Sequence, residues 1–189
     1  MLVMGLDVST SCTGICILDS EKQPDEAGSH IVVLDRIEFK KCVTLWDKAD
    51  RVKSELLAYV SKLGETPAVF ALEEPLLGFS KGMSSAATIT TLMRFNGIVS
   101  YIGRSLFQVD PVYLSAASAR KSCGVKLQKT SVAGMPQKEQ VFKHMSENDL
   151  RHVVWPTKKS GAPADWSRDA TDAYVIARAA CLVNKKTGT

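Results

Sequence analysis

The chain has 189 residues, of which 45% are hydrophobic and 23% are charged, and this length usually gives one domain with a full-sized core. No apolar run approaches the roughly 20 residues of a membrane-spanning helix. The first residues lack the basic segment and cleavage site of a signal peptide, so a cytosolic protein is expected. The five cysteines are scattered and form no C-x-x-C pair, which argues against a disulfide framework and a zinc knuckle. The net charge of +4 is weak evidence for a nucleic-acid partner.

The first third of the sequence predicts three strands followed by a helix. Residues 2–8 and 14–18 are typical of short strands around the polar turn STSCT, and HIVVLDRIEF predicts a third strand. Three strands in succession favour an antiparallel meander. From Leu45 to Leu63 the apolar residues recur at helical spacing, and a glycine and a proline follow as helix breakers.

The rest of the sequence predicts alternating strands and helices. In chain order these are a buried strand at AVFAL, a long helix from Ser84 to about Leu106, a strand near QVDPVYL, a short helix at SAASARK, a loop through Gly134, a helix from Pro136 to Met145, a loop with at most one strand over 148–166, and a last helix from near Ser167 to before Asn184. This order predicts a single α/β domain over residues 1–189. Its mixed five-stranded sheet would have three N-terminal antiparallel strands, then parallel strands, and helices on both faces.

Four acidic residues stand at the ends of predicted strands or at the start of the last helix: Asp7, Glu73, Asp169 and Asp172. Carboxylates in such places are costly unless a positive charge neutralises them. Sites in open α/β sheets gather beyond the carboxyl ends of strands, so adjacent parallel strands would put Asp7 beside Glu73. A cluster of oxygen ligands suits Mg²⁺ or Mn²⁺ and phosphodiester hydrolysis. The sequence therefore predicts a metal-dependent nuclease.

Each carboxylate also has a structural explanation when it is taken alone. Asp169 and Asp172 lie near a helix N-terminus, where the helix dipole favours negative charge. Asp7 precedes a serine and a threonine and would suit a turn. Glu74 competes with Glu73, because alternation does not decide between neighbours in a strand buried on both sides. The joint occurrence of all four residues is what favours a site.

The sequence around these residues resembles one known family in four places. GLDVSTSCTG resembles that family's first-strand motif, ALEEP its second acidic motif, GMPQKEQV its Gly-x-x-x-Lys-x-x-Val segment, and RDATDAYVIARA its closing D-x-x-D-A motif. The family is that of the RuvC-type Holliday junction resolvases, in the RNase H-like and retroviral integrase superfamily. The motifs occur in the family's order across nearly the whole chain. The resemblance implies an RNase H-like fold and Mg²⁺-dependent cleavage of branched DNA, especially four-way junctions.

The resemblance also implies roles for individual residues. It selects Glu73 over Glu74, and it implies two Mg²⁺ ions, replaceable by Mn²⁺, held by the four carboxylates. Lys138, and with it Lys121, would lie beside the scissile phosphate and offset its charge. Independently of the resemblance, the basic stretch between Arg120 and the last helix, which includes Lys126 and Lys129, has few acids and favours DNA contact, although a solvated surface explains any single lysine equally well. The three histidines show no metal-ligand spacing.

The segment PLLGFSKGM resembles the part of the family that enters the junction centre. Phe79, or Leu76 and Leu77, would wedge against unstacked bases, and Lys81 would contact DNA. A hydrophobic lid packed on the core is the alternative explanation for these apolar side chains.

Resolvases of this type act as symmetric dimers, because a four-way junction needs two matched cuts. The long helix with Met93 and Phe95 is the candidate interface, although core packing explains both residues equally well. The first turn reads DVST where bacterial members commonly have Asp-Pro-Gly, and the loops at 123–134 and 148–167 look longer. These departures favour a phage, viral or organellar branch, with the cytoplasm as the expected compartment and an organelle as the alternative.

Three other functions remain open at this point. An actin-like or sugar-kinase-like phosphate-binding domain would also have an Asp followed by hydroxyl residues after its first strand, but it needs a second such domain. A noncatalytic RNase H-like DNA-binding module would not need four carboxylates. Another RNase H-like nuclease, acting on RNA–DNA hybrids or on flapped or nicked duplexes, is distinguished poorly by sequence.

Overall fold

The computed structural model describes residues 1–25, 27–75 and 85–187, with side chains described through residue 183. Five strands form one sheet, and they are β1 (Leu2–Asp7), β2 (Cys12–Asp19), β3 (Ile31–Glu38), β4 (Val69–Glu73) and β5 (Val112–Leu114). Their order across the sheet is β3-β2-β1-β4-β5. The first three strands pair antiparallel, whereas β4 runs parallel to β1 and β5 runs parallel to β4. The predicted mixed sheet is thereby confirmed.

The helices of the described ranges are α1 (Leu45–Leu63), α2 (Ala86–Phe107), α3 (Ala116–Ser122), α4 (Thr130–Ala133), α5 (Gln137–Glu147) and α6 (Trp166–Thr187). Local sequence sets several of their ends. Thr44 and Asp47 form a reciprocal capping box at the start of α1, and Gly64 ends that helix in a left-handed conformation. The long helix α2 is capped by Ser85, not by Ser84, because the Thr88 backbone N–H donates to the Ser85 hydroxyl.

Besides shifts at the ends of other elements, such as β2 starting at Cys12 within the predicted turn, three segments differ from the prediction. The single turn α4 lies within the predicted loop through Gly134. The segment before α6 contains one isolated bridge between Thr157 and Pro163 in place of a strand. The last helix extends to Thr187, past the predicted end, because no proline or glycine interrupts it before that point.

The alternation of side chains along the sheet divides the core in two. Val3 on β1 and Ala71 on β4 pack with α6 on one face. Met4 and Leu6 point to the opposite face, where they pack with the apolar sides of α1 and α2. Every strand near the middle of the sheet is thus covered on both faces, which explains why AVFAL is continuously apolar.

A buried polar network ties the loop before β3 to α6. His30 is 1% exposed, and its Nε2 lies 3.0 Å from the hydroxyl of Tyr174. The Tyr174 hydroxyl donates to Asp149 Oδ2 at 2.8 Å, so His30 is the donor to the tyrosine oxygen. The other ring nitrogen, Nδ1, is buried with no hydrogen-bond partner within the described chain. These contacts are consistent with a neutral, structural histidine.

All five cysteines are free thiols, as the sequence predicts. None of the helices in the described ranges combines the length and apolar character that a bilayer crossing requires.

Candidate active site

The first carboxylate lies where β1 ends. Asp7 is the last residue of that strand and alternates with Val3 and Gly5, so its side chain emerges on the face that α6 covers. The chain then turns back into β2 through residues 8–11. Thr13 closes this turn, since its hydroxyl donates to the Ser9 carbonyl at 3.2 Å. The buried apolar strand β1 therefore places the Asp7 carboxylate at the start of a tight, hydrogen-bonded turn.

The second carboxylate lies beside the first. In the parallel pairing of β1 with β4, Leu6 is opposite Leu72, and the next residues along are Asp7 and Glu73. Glu73 follows Ala71 on the α6 face of the sheet and is partly buried, whereas Glu74 follows the end of β4 and is exposed. The buried Asn96 of α2 donates to the Glu73 carbonyl at 3.3 Å and so holds the end of β4.

The remaining two carboxylates come from the first turns of α6, which reaches the sheet through two glycines. A Cβ on Gly14 would lie 2.0 Å from the Asp169 carbonyl oxygen, and a Cβ on Gly5 would lie 2.5 Å from the Ala177 backbone nitrogen. Because both glycines lack a side chain, the helix backbone packs directly on β1 and β2. This packing places Asp169 and Asp172 on the same face as the ends of β1 and β4.

One lysine joins three of these carboxylates. The Lys138 ammonium donates to Asp169 Oδ1 at 2.7 Å and lies 3.3 Å from Asp172 Oδ2 and 3.6 Å from Asp7 Oδ2. Lys138 is the second residue of α5. The next residue, Glu139, receives two hydrogen bonds from the Arg168 guanidinium, at 2.6 and 3.1 Å. This forked ion pair holds the start of α5 against the start of α6 and positions Lys138.

The electrostatics of the cluster oppose full ionisation. Burial, and then the charge of Asp172, raise the pKa of Asp7, and Lys138 only partly offsets them. Burial likewise raises the pKa of Asp172 and of Glu73, against the opposing charges of Lys138 and Arg120. Burial lowers the pKa of Lys138, but Asp7, Asp172 and the hydrogen bond to Asp169 outweigh it, so the net shift is upward. The cluster is short of positive charge.

Three of the four carboxylates, those of Asp7, Glu73 and Asp169, line an accessible cavity of about 320 Å³ together with Lys138 and the exposed Glu74. Within the parts of the chain that the structure describes, no group of three or more His, Cys, Asp or Glu side chains is arranged to hold a metal ion. The Lys138 ammonium lies among three of the carboxylates. The carboxylate oxygens therefore face the cavity, and the Lys138 ammonium is the cation that lies between them.

The same architecture occurs in solved structures. Thermus thermophilus RuvC in complex with a Holliday junction substrate superimposes with a TM-score of 0.65 at 14% identity, over 99% of this chain and 97% of that one. A further Thermus thermophilus RuvC structure gives a TM-score of 0.60 at 16% identity, over 99% and 98%. The chain has the RuvC fold. The yeast mitochondrial Holliday junction resolvase Ydc2 gives 0.54 at 14% identity, over 98% of this chain and 82% of that one. Comparison of the sequence with protein-family models and with curated proteins gives no match.

Two features of the site in this RuvC fold are not apparent from sequence. Arg120 reaches Asp172 Oδ1 at 3.8 Å and lines a cavity of about 420 Å³ with Glu73. The sequence prediction names its neighbour Lys121, whose side chain is exposed. The rotation of α3 about its own axis directs Arg120, and not Lys121, towards the carboxylates. That rotation is set by the packing of α3 in the fold and is not predictable from the sequence. The Glu139–Arg168 pair has no local signal, because its partners are 29 residues apart.

Three lysines that are predicted to contact DNA are exposed and have no ion pair with the four carboxylates among the described residues. Lys121, Lys126 and Lys129 are exposed on α3 and the segment that follows it. Their contact with DNA stays a prediction. Phe79 and Lys81, with the alternative wedge residues Leu76 and Leu77, lie outside the described residues.

Proposed function

We propose that the protein is a divalent-metal-dependent endonuclease that cuts branched DNA, with four-way junctions as its principal substrate. The observation that carries this proposal is the convergence of carboxylates from β1, β4 and α6 on one accessible cavity. A burial-raised pKa on three of them and a lysine inserted between them are features of a functional centre more than of a structural ion pair.

The donor set fits Mg²⁺, with Mn²⁺ as a substitute. All four candidate ligands, Asp7, Glu73, Asp169 and Asp172, offer hard carboxylate oxygens, and no sulfur or imidazole donor intervenes among the cavity walls named above. Three of them already converge on one cation, the ammonium of Lys138. When bound, two such ions would supply Lewis-acid activation of water and stabilisation of the leaving oxygen in phosphodiester hydrolysis.

The protein's own residues would bind and orient the substrate. Lys138 and Arg120 are the cations closest to the carboxylates within the described chain, and each is able to offset the charge of a scissile phosphate. Arg120 is 20% exposed, which suits a fixed, planar donor, whereas Lys138 is 45% exposed and is more free to move. The hydrogen bond from Asn96 keeps Glu73 at the cavity wall.

Branched DNA as the substrate class is supported by the fold. A RuvC structure that shares this fold over nearly its whole length is in complex with a Holliday junction substrate. The net charge of +4, with exposed Lys121, Lys126 and Lys129, suits a phosphate backbone. Phe79 and Lys81 are proposed, on sequence alone, as contacts at the junction centre.

A second copy of the chain is the proposed partner, because two symmetric cuts need two active sites. Trp46 on α1 and Tyr101 on α2 are each 70% exposed, and they border an apolar cavity of about 630 Å³ next to Gly97. A Cβ on Gly97 would meet nothing within 4 Å, so a neighbouring backbone is able to approach. Of the two residues predicted for this interface, Met93 is 41% exposed, whereas Phe95 is fully buried against Phe39 and belongs to the core.

The function is tested by incubating the protein with four-way junction, flap, nicked duplex, plain duplex and RNA–DNA hybrid substrates, with Mg²⁺ and with EDTA. We expect paired nicks in the four-way junction that require the metal, and binding that weakens steeply as salt rises. Preferential cleavage of the hybrid would favour another RNase H-like nuclease. Turnover of ATP without any nucleic-acid cleavage would contradict the proposal.

The dimer is tested by sedimentation and light scattering on Tyr101→Glu. This substitution places a charge in the proposed apolar interface and should convert the protein to a monomer that nicks junctions without pairing the cuts. Val154→Glu is the matched control, since Val154 is 93% exposed and lies outside that cavity wall. Equal association states for the two variants would reject this interface.

A further inference from the structure

We propose that Lys138 is a built-in counter-ion that competes with the divalent metal for the carboxylate cluster and is displaced from it when the metal binds. The inference rests on the proposed function for the assignment of a divalent ion to these residues.

The position of the ammonium is the first support. Its nitrogen lies within 2.7–3.6 Å of oxygens from three carboxylates, which come from β1 and from two successive turns of α6. Here one ammonium is shared by the same carboxylate oxygens that the proposed function assigns to the metal, at ion-pair distances.

The second support is that the cluster has few other cations. Among the residues that the structure describes, Lys138 is the only cation within ion-pair distance of Asp7 and of Asp169. Arg120 approaches Asp172 alone, at 3.8 Å. One positive charge shared by three carboxylates stabilises the metal-free site but leaves it under-neutralised. A doubly charged ion would compensate the same oxygens better, and it would repel the ammonium from between them.

The third support is that, in the part of the chain that the structure describes, the ammonium has ion pairs only with the carboxylates. Lys138 lies in the first turn of α5, where the helix dipole disfavours a positive charge, so helix stability does not explain its position. Its side chain is 45% exposed and flexible, whereas the backbone beside it is held by the Glu139–Arg168 pair. The ammonium is therefore able to leave the cluster while α5 stays docked.

The displaced ammonium has a second use. Lys138 lines the cavity together with Asp7 and Asp169, so a side chain that swings out of the cluster remains at the cavity mouth. There it would meet the phosphate of an approaching strand. Metal binding and phosphate binding would thus be coupled through one side chain, and metal loading would favour substrate binding.

The experiment uses the full chain without DNA and measures Mn²⁺ binding by titration calorimetry and by the signal of free Mn²⁺ in electron paramagnetic resonance. Lys138→Met removes the charge and keeps the length of the side chain. We expect it to bind Mn²⁺ at least about tenfold more tightly than the unmodified protein, a change of about 1.4 kcal/mol. Lys138→Arg keeps the competing charge and should bind no more tightly than the unmodified protein.

Lys143→Met is the matched control, because it removes the same charge from an exposed lysine of the same helix outside the cluster. It should leave Mn²⁺ affinity within about twofold, the size expected for a screened surface charge. Equal affinities of Lys138→Met and the unmodified protein would overturn the inference. A tightening in Lys143→Met as large as that in Lys138→Met would also overturn it, since the effect would then be nonspecific.

Thermal unfolding gives an independent readout. With EDTA, Lys138→Met should melt at least about 2–4 °C below the unmodified protein, because the carboxylates lose their counter-ion. Saturating Mn²⁺ should remove that difference, and it should restore folding if the variant is unfolded without metal. A difference that persists with Mn²⁺ would mean a structural role only. Absence of DNA cleavage by an Mn²⁺-loaded protein would refute the proposed function while leaving these DNA-free measurements interpretable.

Discussion

A methyl group on Gly14 tests whether the direct packing of α6 on the sheet positions the acidic side chains. The added Cβ would lie 2.0 Å from the Asp169 carbonyl oxygen and 2.5 Å from its carbonyl carbon. Both are backbone atoms, so no change of rotamer relieves the clash. To restore a contact of 3.4 Å, the start of α6 must retreat by about 1.4 Å, and it would carry Asp169 and Asp172 with it.

The retreat has two expected costs. Overpacking of this kind destabilises a fold by about 1–3 kcal/mol. A displacement of about 1 Å at a catalytic centre lowers activity by about 100-fold. Gly14→Ala should therefore lose far more junction cleavage than its loss of stability explains.

Gly103→Ala separates the two costs. Its Cβ would lie 2.2 Å from the ring of Phe70, in the core between α2 and β4, away from the start of α6. Both variants should lower the free energy of urea unfolding, but Gly103→Ala should keep cleavage within about threefold at a temperature where both are folded. If folded Gly14→Ala cuts junctions as fast as Gly103→Ala, the reasoning about α6 is wrong.

Three further predictions concern single side chains. Asp7→Asn should lower the cleavage rate by more than about 1,000-fold while junction affinity in a gel-shift assay stays within a few fold, and comparable turnover would remove Asp7 from the site. Arg120→Met should slow cleavage by at least about tenfold, whereas Lys121→Met should change it by less than about threefold, and the reverse order would favour the original sequence prediction. Burial, and then the charge of Arg178, lower the pKa of His30 below 6.5. As the pH falls, the His30 ring is therefore protonated at a higher pH in the unfolded chain than in the folded one. Stability is then complete above pH 6.5 and falls below it by up to about 1.4 kcal/mol per pH unit, a slope that His30→Gln should reduce in denaturant titrations between pH 5 and 8.

Local sequence patterns were sufficient for the architecture, whereas the choice of Glu73 over Glu74 came from the family resemblance. Apolar alternation and helical spacing predict the five strands and most of the helices, because each pattern lies within one element. Strand ends and a helix start carry Asp7, Glu73, Asp169 and Asp172, so their convergence follows once β1 and β4 are adjacent and parallel. The errors at α4 and at the end of α6 concern short or terminal turns, where local propensity is weak.

What the tertiary structure decided is how these elements face one another. Glu73 is partly buried on the face that carries Ala71 and α6, whereas Glu74 is exposed, a difference that strand alternation by itself does not predict. Arg120 replaces Lys121 at the carboxylates because the docking of α3 sets the direction in which each side chain points. The place of Lys138 among three acidic side chains depends on contacts that span 31 residues or more, which no local pattern encodes. The sequence by itself determined which groups carry the charge. Only the packing of helices on the sheet determined which of those charges meet, because electrostatic contact depends on distance in space and not along the chain.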